Sequence, residues 1–363
     1  MAPLKVLEFY SGIGGMHYAA QLAGWDYEIL QAFDINDVAN DIYKHNFEKK
    51  LVSQKLIEAM NIDYYDNFKA DVWTMSPPCQ PYTRIGLQQG SQDTRSKSFL
   101  HLLTVLDHMK HPPNYILVEN VKGFEVSDSR DMLVRQLIKS QYHFQEFLLT
   151  PLQLGIPNSR LRYYLLAKLK SSSSSSFSFH TTNPSTLEQP VILDHIPTLI
   201  PSLSEALANN TTKQISDYLD PSISLTNDNS SEYAIPDKTL LKHCYVFDIV
   251  KPSSYSSCCF TKGYYHFAQA TGSILQMNED ADASQILDQI NELKKEQNKD
   301  QEMLKLLYTL QLRYFTPHEV AKLMGFPKEF TFPEKTTKKQ QYRTLGNSIN
   351  VTLVSCLMKY LIM

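Results

Sequence analysis

Along the first 170 residues, short runs that are apolar on both faces alternate with stretches whose apolar positions recur every three or four residues. The runs Leu4–Tyr10, Glu28–Phe33, Val72–Met75, Tyr115–Val118, Phe144–Leu149 and Arg162–Leu169 predict strands. Between them, Met16–Ala23, Asp37–Asn46, Phe99–Met109 and Arg130–Ser140 predict helices. A strand that is apolar throughout must be covered on both faces, and strands alternating with helices of about ten residues build βαβ units. The pattern predicts an α/β fold: a mostly parallel sheet with helices on both sides.

The alternation stops at Ser171–Ser176, six serines in a row, which have no apolar surface to bury and read as a loop. From Thr181 to Asp248 the chain is rich in Pro, Ser, Asn and Thr and has no sustained period, which predicts a second, smaller and less regular domain. Gln276–Leu312 is amphipathic, with Ile286, Ile290 and Leu293 followed by Leu304, Leu307 and Leu310. The polar stretch Lys294–Glu302 divides it, so a helix pair is expected. Apolar patterning resumes over Tyr342–Met363, as strand or helix, and is expected to rejoin the first domain. The resulting division is a first domain over 1–180, completed by 330–363, and a second over 181–329 with a helical insertion near 276–312.

Composition narrows the class without naming a function. The chain has 363 residues, 42% hydrophobic and 20% charged, which excludes a disordered, collagenous or rod-like protein. No continuous apolar run approaches the eighteen or so residues of a membrane span, and the start lacks a signal peptide's apolar core. A soluble protein of the cytoplasm or nucleus is expected. The five cysteines are odd in number and include no CxxC pair, so neither a disulfide framework nor a zinc site is expected. A net charge of −3 argues against a wholly basic nucleic-acid binder but leaves room for a local basic groove.

Chemistry gathers at the predicted strand ends. Leu4–Tyr10 runs into Ser11-Gly12-Ile13-Gly14-Gly15, where small residues let a ligand approach the backbone and the next helix offers free N–H groups. Asp34 follows the second strand about twenty positions later, where an acidic residue commonly grips a ribose hydroxyl. Together they point to a nucleoside-containing cofactor, against the plainer reading of a tight turn and a solvated Asp. The next strand ends in Ser76-Pro77-Pro78-Cys79-Gln80, a rigid extended segment that sets Cys79 at the carboxyl edge. A thiol of ordinary pKa near 8.5 needs cationic or hydrogen-bonding help to act as a nucleophile. Glu119 in Glu119-Asn120-Val121 is either solvated or held in a cleft, where burial would raise its pKa and make it a proton donor. Arg160 and Arg162 alternate onto one side of their strand, and suit a phosphate or a base carbonyl unless they are a plain surface pair.

In this order, the segments EFYSGIGGMHYA (Glu8–Ala19), FDIN (Phe33–Asn36), SPPCQPYTRIG (Ser76–Gly86), ENVKGFE (Glu119–Glu125), QLGIPNSRLRYYLLAK (Gln153–Lys168) and YRTLGNSIN (Tyr342–Asn350) resemble the cytosine-5 methyltransferases. The resemblance implies a Rossmann-like methyltransferase sheet with a smaller target-recognition domain. It implies S-adenosylmethionine as methyl donor, no metal, and an enzyme acting on cytosine. It implies Cys79 as nucleophile, Glu119 as hydrogen-bond partner of the base, and Arg160 and Arg162 as holders of the base carbonyl or of the thiolate. It places the cofactor against Ile13, Gly14, Gly15, Asp34, Ile57, Glu58 and Ser76, with Asn347 and Ser348 closing the pocket.

CFTKGY (Cys259–Tyr264), TGS (Thr271–Ser273) and LRYFTPHEVAKLMGFP (Leu312–Pro327) resemble a narrower subgroup, the eukaryotic type-2 homologues, which act on transfer RNA. Ala270 departs from it, standing where relatives carry Gly. The subgroup implies cytosine 38 of the aspartate tRNA as target, a monomeric enzyme, weak DNA binding at most, and no membrane. The alternatives are a DNA cytosine-5 methyltransferase and a catalytically silent homologue. Candidates for RNA contact are Lys335–Arg343, Lys122, Arg84 and Lys262. Cys259 is a candidate disulfide partner of Cys79 under oxidation.

Overall fold

The computed structural model describes residues 2–78, 96–170, 191–209, 211–223 and 232–363. In chain order the first half runs β1 (Leu4–Phe9), α1 (Gly15–Ala23), β2 (Tyr27–Phe33), α2 (Asp37–Asn46), β3 (Val52–Ser53), α3 (Ile62–Asp66), β4 (Val72–Met75) and α4 (Lys97–His108). It continues with β5 (Tyr115–Val121), α5 (Asp128–Lys139), β6 (Tyr142–Leu149), β7 (Arg162–Leu169) and the short β8 (Ile192–Leu193). The apolar-on-both-faces pattern has the expected consequence. Along β5, Leu117 enters one core cluster while Ile116 and Val118 enter another, and on β7 Tyr164 and Leu166 divide from Leu165 in the same way. Each face is therefore covered. Phe99, Leu102, Leu133 and Leu137 of α4 and α5 lie in the second cluster, and α1 shares the first with α12 (Val351–Ile362) at the end of the chain.

The sheet order is β3-β2-β1-β4-β5-β7-β6-β8. All pairings are parallel except those of β7, which runs antiparallel to both β5 and β6. The reversal follows from the β6–β7 link, which carries only a single turn at Pro151–Leu154 and lacks the helix that a parallel crossover uses. Two consequences position the site. The order switches direction between β1 and β4, opening a crevice at their carboxyl ends. Because β7 is reversed, its first residue, Arg162, pairs with Val121 at the end of β5, so the start of one strand meets the ends of the others.

The second half contains α6 (Leu203–Ala208), α7 (Asp237–His243), β9 (Asp248–Val250), β10 (Ser273–Gln276), α8 (Ala283–Leu293), α9 (Asp300–Thr309), β11 (Leu312–Arg313), α10 (Pro317–Leu323) and α11 (Lys338–Gly346). The three strands form a separate small sheet, β11-β10-β9. The divided amphipathic stretch forms the helix pair α8 and α9. Arg313 and Glu319, both fully buried, join β11 to α10 through two bonds of 2.8 Å. Removing either partner would leave a buried charge uncompensated, a loss of about 3–5 kcal/mol. The apolar C-terminal stretch forms helices α11 and α12, broken at Asn347–Asn350. It packs against the first half of the chain: the Trp25 indole N–H donates to the Met358 carbonyl at 3.2 Å.

Candidate active site

The glycine-rich turn leaves β1 through three left-handed residues, Tyr10, Gly12 and Gly14, with φ of 59°, 55° and 86°. Gly14 is the N-cap of α1 and supplies no side chain to occupy that helix's first N–H groups. A Cβ on Gly14 would come within 2.4 Å of the Phe47 ring, so no larger residue fits. At Gly12, by contrast, a Cβ would meet nothing among the described residues closer than the Tyr10 carbonyl at 4.0 Å, and the backbone is approachable from that side. Gly15 is pressed from the other side by Ile349 and by Ser348 of the C-terminal return. Ile13 itself is buried.

Asp34 stands beside this turn. One carboxylate oxygen accepts the Gly12 N–H at 2.9 Å, the other the Asn36 N–H at 2.8 Å. Burial raises its pKa, and these amides partly counter the rise. Ile35, next to it, is 65% exposed, an apolar surface at the sheet edge that the strand pattern gave no reason to single out. Ile57 is a core residue whose carbonyl accepts the Tyr65 hydroxyl at 2.8 Å, while Glu58 is exposed on the turn Ile57–Ala59.

Past β4, Ser76 is fixed to the glycine turn: its hydroxyl donates to the Tyr10 carbonyl at 3.0 Å. The Asn120 amide reaches across from β5 to the Pro77 carbonyl at 3.4 Å, a contact not anticipated from sequence. Cys79, two residues further on, lies outside the described residues, as does Arg84. Glu119 is buried on β5, with its carboxylate 3.6 Å from the Arg162 Nε. Burial favours the neutral acid, the Arg162 and Arg160 charges oppose it, and burial prevails, so the pKa is raised.

The two arginines converge on one sulfur. Cys259 Sγ lies 3.2 Å from Arg160 Nη1 and 3.5 Å from Arg162 Nη2. Burial alone would raise this thiol's pKa, but the paired guanidiniums outweigh it and the net shift is downward. Beyond that sulfur the arginines differ. Arg160 is almost wholly buried and donates to the carbonyls of Phe260 (3.1 Å), Gly346 (3.3 Å) and Ser348. Its donors tie three distant segments together. Among the described residues, the Arg162 guanidinium donates to one backbone carbonyl, that of its neighbour Leu161 at 2.9 Å, and otherwise faces Glu119 and Cys259.

Among the basic candidates, Lys122, Lys262, Lys339 and Arg343 are exposed, the last two one turn apart on α11. Lys335 pairs with Asp41 at 2.6 Å, and Lys338 pairs with Glu232 and lies 4.1 Å over the Tyr233 ring. A cavity of about 600 Å³ borders α1 and is lined by residues including His17, Tyr27, Phe47 and Thr331, but by none of the site candidates.

Residues 4–362 match the family of C-5 cytosine-specific DNA methylases. The chain belongs to that family. It is 42% identical to the mouse tRNA (cytosine(38)-C(5))-methyltransferase, over 99% of this chain and 94% of the relative. It is 43% identical to a Dictyostelium discoideum DNA (cytosine-5)-methyltransferase, over 100% of this chain and 95% of that protein. Among solved structures, a Spodoptera frugiperda DNMT2 mutant shares 36% identity and superposes with a TM-score of 0.79, covering 99% of this chain and all of the other.

Proposed function

We propose that this protein transfers a methyl group from S-adenosylmethionine to carbon 5 of a cytosine in the anticodon loop of tRNA, at position 38 of aspartate tRNA. The supporting observation is the cluster at the β5–β7 edge: a buried Glu119 with a raised pKa, faced by Arg162, beside a segment anchored through Pro77 that leads to Cys79. The substrate class follows the names of relatives such as the mouse enzyme, which span the whole chain.

The residues present fit the cofactor. The approachable backbone at Gly12, the uncapped start of α1, the Asp34 carboxylate and the exposed Ile35 suit the polar, ribose and purine parts of a nucleoside. When bound, S-adenosylmethionine supplies an electrophilic methyl group on a sulfonium. Carbon 5 of cytosine is too weak a nucleophile to take it unaided. Cys79 thiolate adds at carbon 6 while protonated Glu119 donates its proton to the ring nitrogen next to the amino-bearing carbon, and carbon 5 becomes enamine-like. Arg162 stabilises the electron density that develops on the base carbonyl. After methylation the carbon-5 proton is lost to a base, the ring nitrogen releases its proton, and the Cys79 thiolate is expelled. The target must leave its stack to be reached, which is easier in an unpaired loop than in duplex DNA. The second half of the chain, residues 181–329, supplies target recognition.

The name of the Dictyostelium relative favours a second reading, DNA cytosine-5 methylation by the same chemistry. One assay separates the two: labelled methyl transfer to tRNA and to duplex DNA, with Cys79→Ala alongside. Label on tRNA that vanishes in Cys79→Ala is expected. Label on DNA alone establishes the second reading, and label that survives Cys79→Ala refutes the covalent mechanism.

A further inference from the structure

The segment after Cys259 forms a turn that the proposed chemistry does not use. Its base is closed by the Thr261 N–H donating to the Thr271 carbonyl at 2.8 Å. Inside it, the N–H groups of His266 and Phe267 both donate to the Gly263 carbonyl, at 3.0 and 2.9 Å, and the Thr271 hydroxyl donates to the Phe267 carbonyl at 2.6 Å. Two residues with side chains, Tyr265 (φ 69°) and Ala270 (φ 55°), are held in the left-handed region that favours glycine. Such a conformation persists only where its surroundings impose it. Here they do. The Tyr265 ring stacks on Tyr342 at 5.1 Å, and the buried Tyr264 hydroxyl donates to the Ser273 carbonyl while accepting the Phe315 N–H.

This braced turn presents an aromatic residue to solvent. Phe267 is 63% exposed, His266 beside it is exposed, and Lys262 is exposed at the root. The turn holds this ring outward, with a basic side chain at its root. It is also close to the arginine pair. A Cβ added to Gly263 would lie 3.2 Å from Phe267 Cδ2, so the ring lies over Gly263. Gly263 follows Cys259 by four residues, a span of at most about 14 Å. Cys259 touches both Arg160 and Arg162.

We infer that Phe267 is a stacking platform for an unpaired base of the anticodon loop near the target cytosine, with Lys262 facing the adjoining phosphate. Unstacking the target deprives its neighbours of a stacking partner, and an aromatic face replaces it without regard to base identity. The inference rests on the RNA reading of the previous subsection. An alanine substitution that removes base–aromatic stacking costs roughly 5- to 150-fold in affinity, the equivalent of about 1–3 kcal/mol.

The test compares wild type with Phe267→Ala, Phe267→Leu and Phe267→Trp on an unmodified aspartate tRNA transcript. Binding is followed by fluorescence anisotropy and methylation by label transfer, with thermal melting and S-adenosylmethionine binding as controls. Phe267→Ala is expected to weaken tRNA binding at least 5-fold and raise KM with little change in kcat. Trp should restore binding, and Leu, which is apolar but has no π face, should not. A 2-aminopurine placed next to the target should change fluorescence on binding wild type and not on binding Phe267→Ala. Equal binding and equal kcat/KM for wild type and Phe267→Ala overturn the platform, as does full rescue by Leu. If wild type binds tRNA through Phe267 but transfers no methyl group, the platform stands and the activity reading falls. If wild type does not bind tRNA, both fall.

Discussion

Glu8 is fully buried in β1, directly before the glycine turn, and its ionisation should leave a measurable mark on stability. Burial pushes its pKa from 4.5 up to about 8, against the pull of the Tyr43 hydroxyl and the His17 amide, and the Asp34 charge pushes the same way. The Tyr43 hydroxyl donates to Glu8 Oε2 at 2.9 Å and accepts from His17 Nδ1 at 2.8 Å, with His17 kept neutral by burial. Between pH 4.5 and about 8 the folded protein therefore holds a proton that the unfolded chain releases. Stability contributed by this group is complete below the unfolded value and falls as pH rises, by about 1.4 kcal/mol per pH unit. From pH 5.5 to 7.5 the loss is about 3 kcal/mol. Glu8→Gln keeps the shape and the bond from Tyr43 but cannot ionise. Denaturant unfolding of both proteins at those two pH values should show wild type losing about 3 kcal/mol more than the variant. The difference between the two proteins cancels every other titrating group. Parallel curves would refute the assignment of a buried, protonated Glu8.

Three further outcomes are expected. Glu119→Gln keeps a polar partner for Arg162 but has no proton to give. It should lower kcat about 100-fold or more, and abolish the fall in kcat that wild type shows as pH rises through the raised Glu119 pKa, read from a pH–rate profile. Gly346→Ala would place a Cβ 2.2 Å from the Lys262 nitrogen and the Thr261 carbonyl carbon. It should displace the segment carrying Cys259, costing about 1–3 kcal/mol by denaturant unfolding and at least tenfold in methyl transfer. Lys339→Glu with Arg343→Glu should weaken tRNA binding and lower the slope of log Kd against log salt by about 2, measured by anisotropy titrations in rising salt.

What the sequence made legible was local. The apolar runs at Leu4–Tyr10 and Arg162–Leu169 carry their own period, and the strands fall within a residue of those bounds because packing on both faces reinforces the local preference. The glycine turn and Asp34 lie one βα unit apart, so their meeting follows from a short connection. The reversal of β7 was not legible as a pattern, since parallel and antiparallel buried strands read alike. It depends on the missing helix between β6 and β7, and it is what brings Arg162 to Glu119. Ile35 and Phe267 were missed for the opposite reason. Their importance is that they are exposed, and an isolated apolar residue in a sequence gives no sign of being left outside.

Arg160 shows how the site depends on contacts that no local pattern encodes. Alternation set it beside Arg162 as an equal, yet its guanidinium joins Phe260, 100 positions later, to Gly346 and Ser348, 186 and 188 positions later. Ser348 also presses on Gly15, and Gly346 admits the Thr261–Lys262 backbone only because it lacks a side chain. One buried cation thus fastens the start of the turn that carries Phe267 to the C-terminal return, which in turn packs on the glycine turn. A guanidinium suits this task because its planar fork donates in several directions at once, which a lysine ammonium does not reproduce. The fold has given two neighbouring arginines different surroundings, one joining separate segments through its donors and the other left facing the buried Glu119 carboxyl.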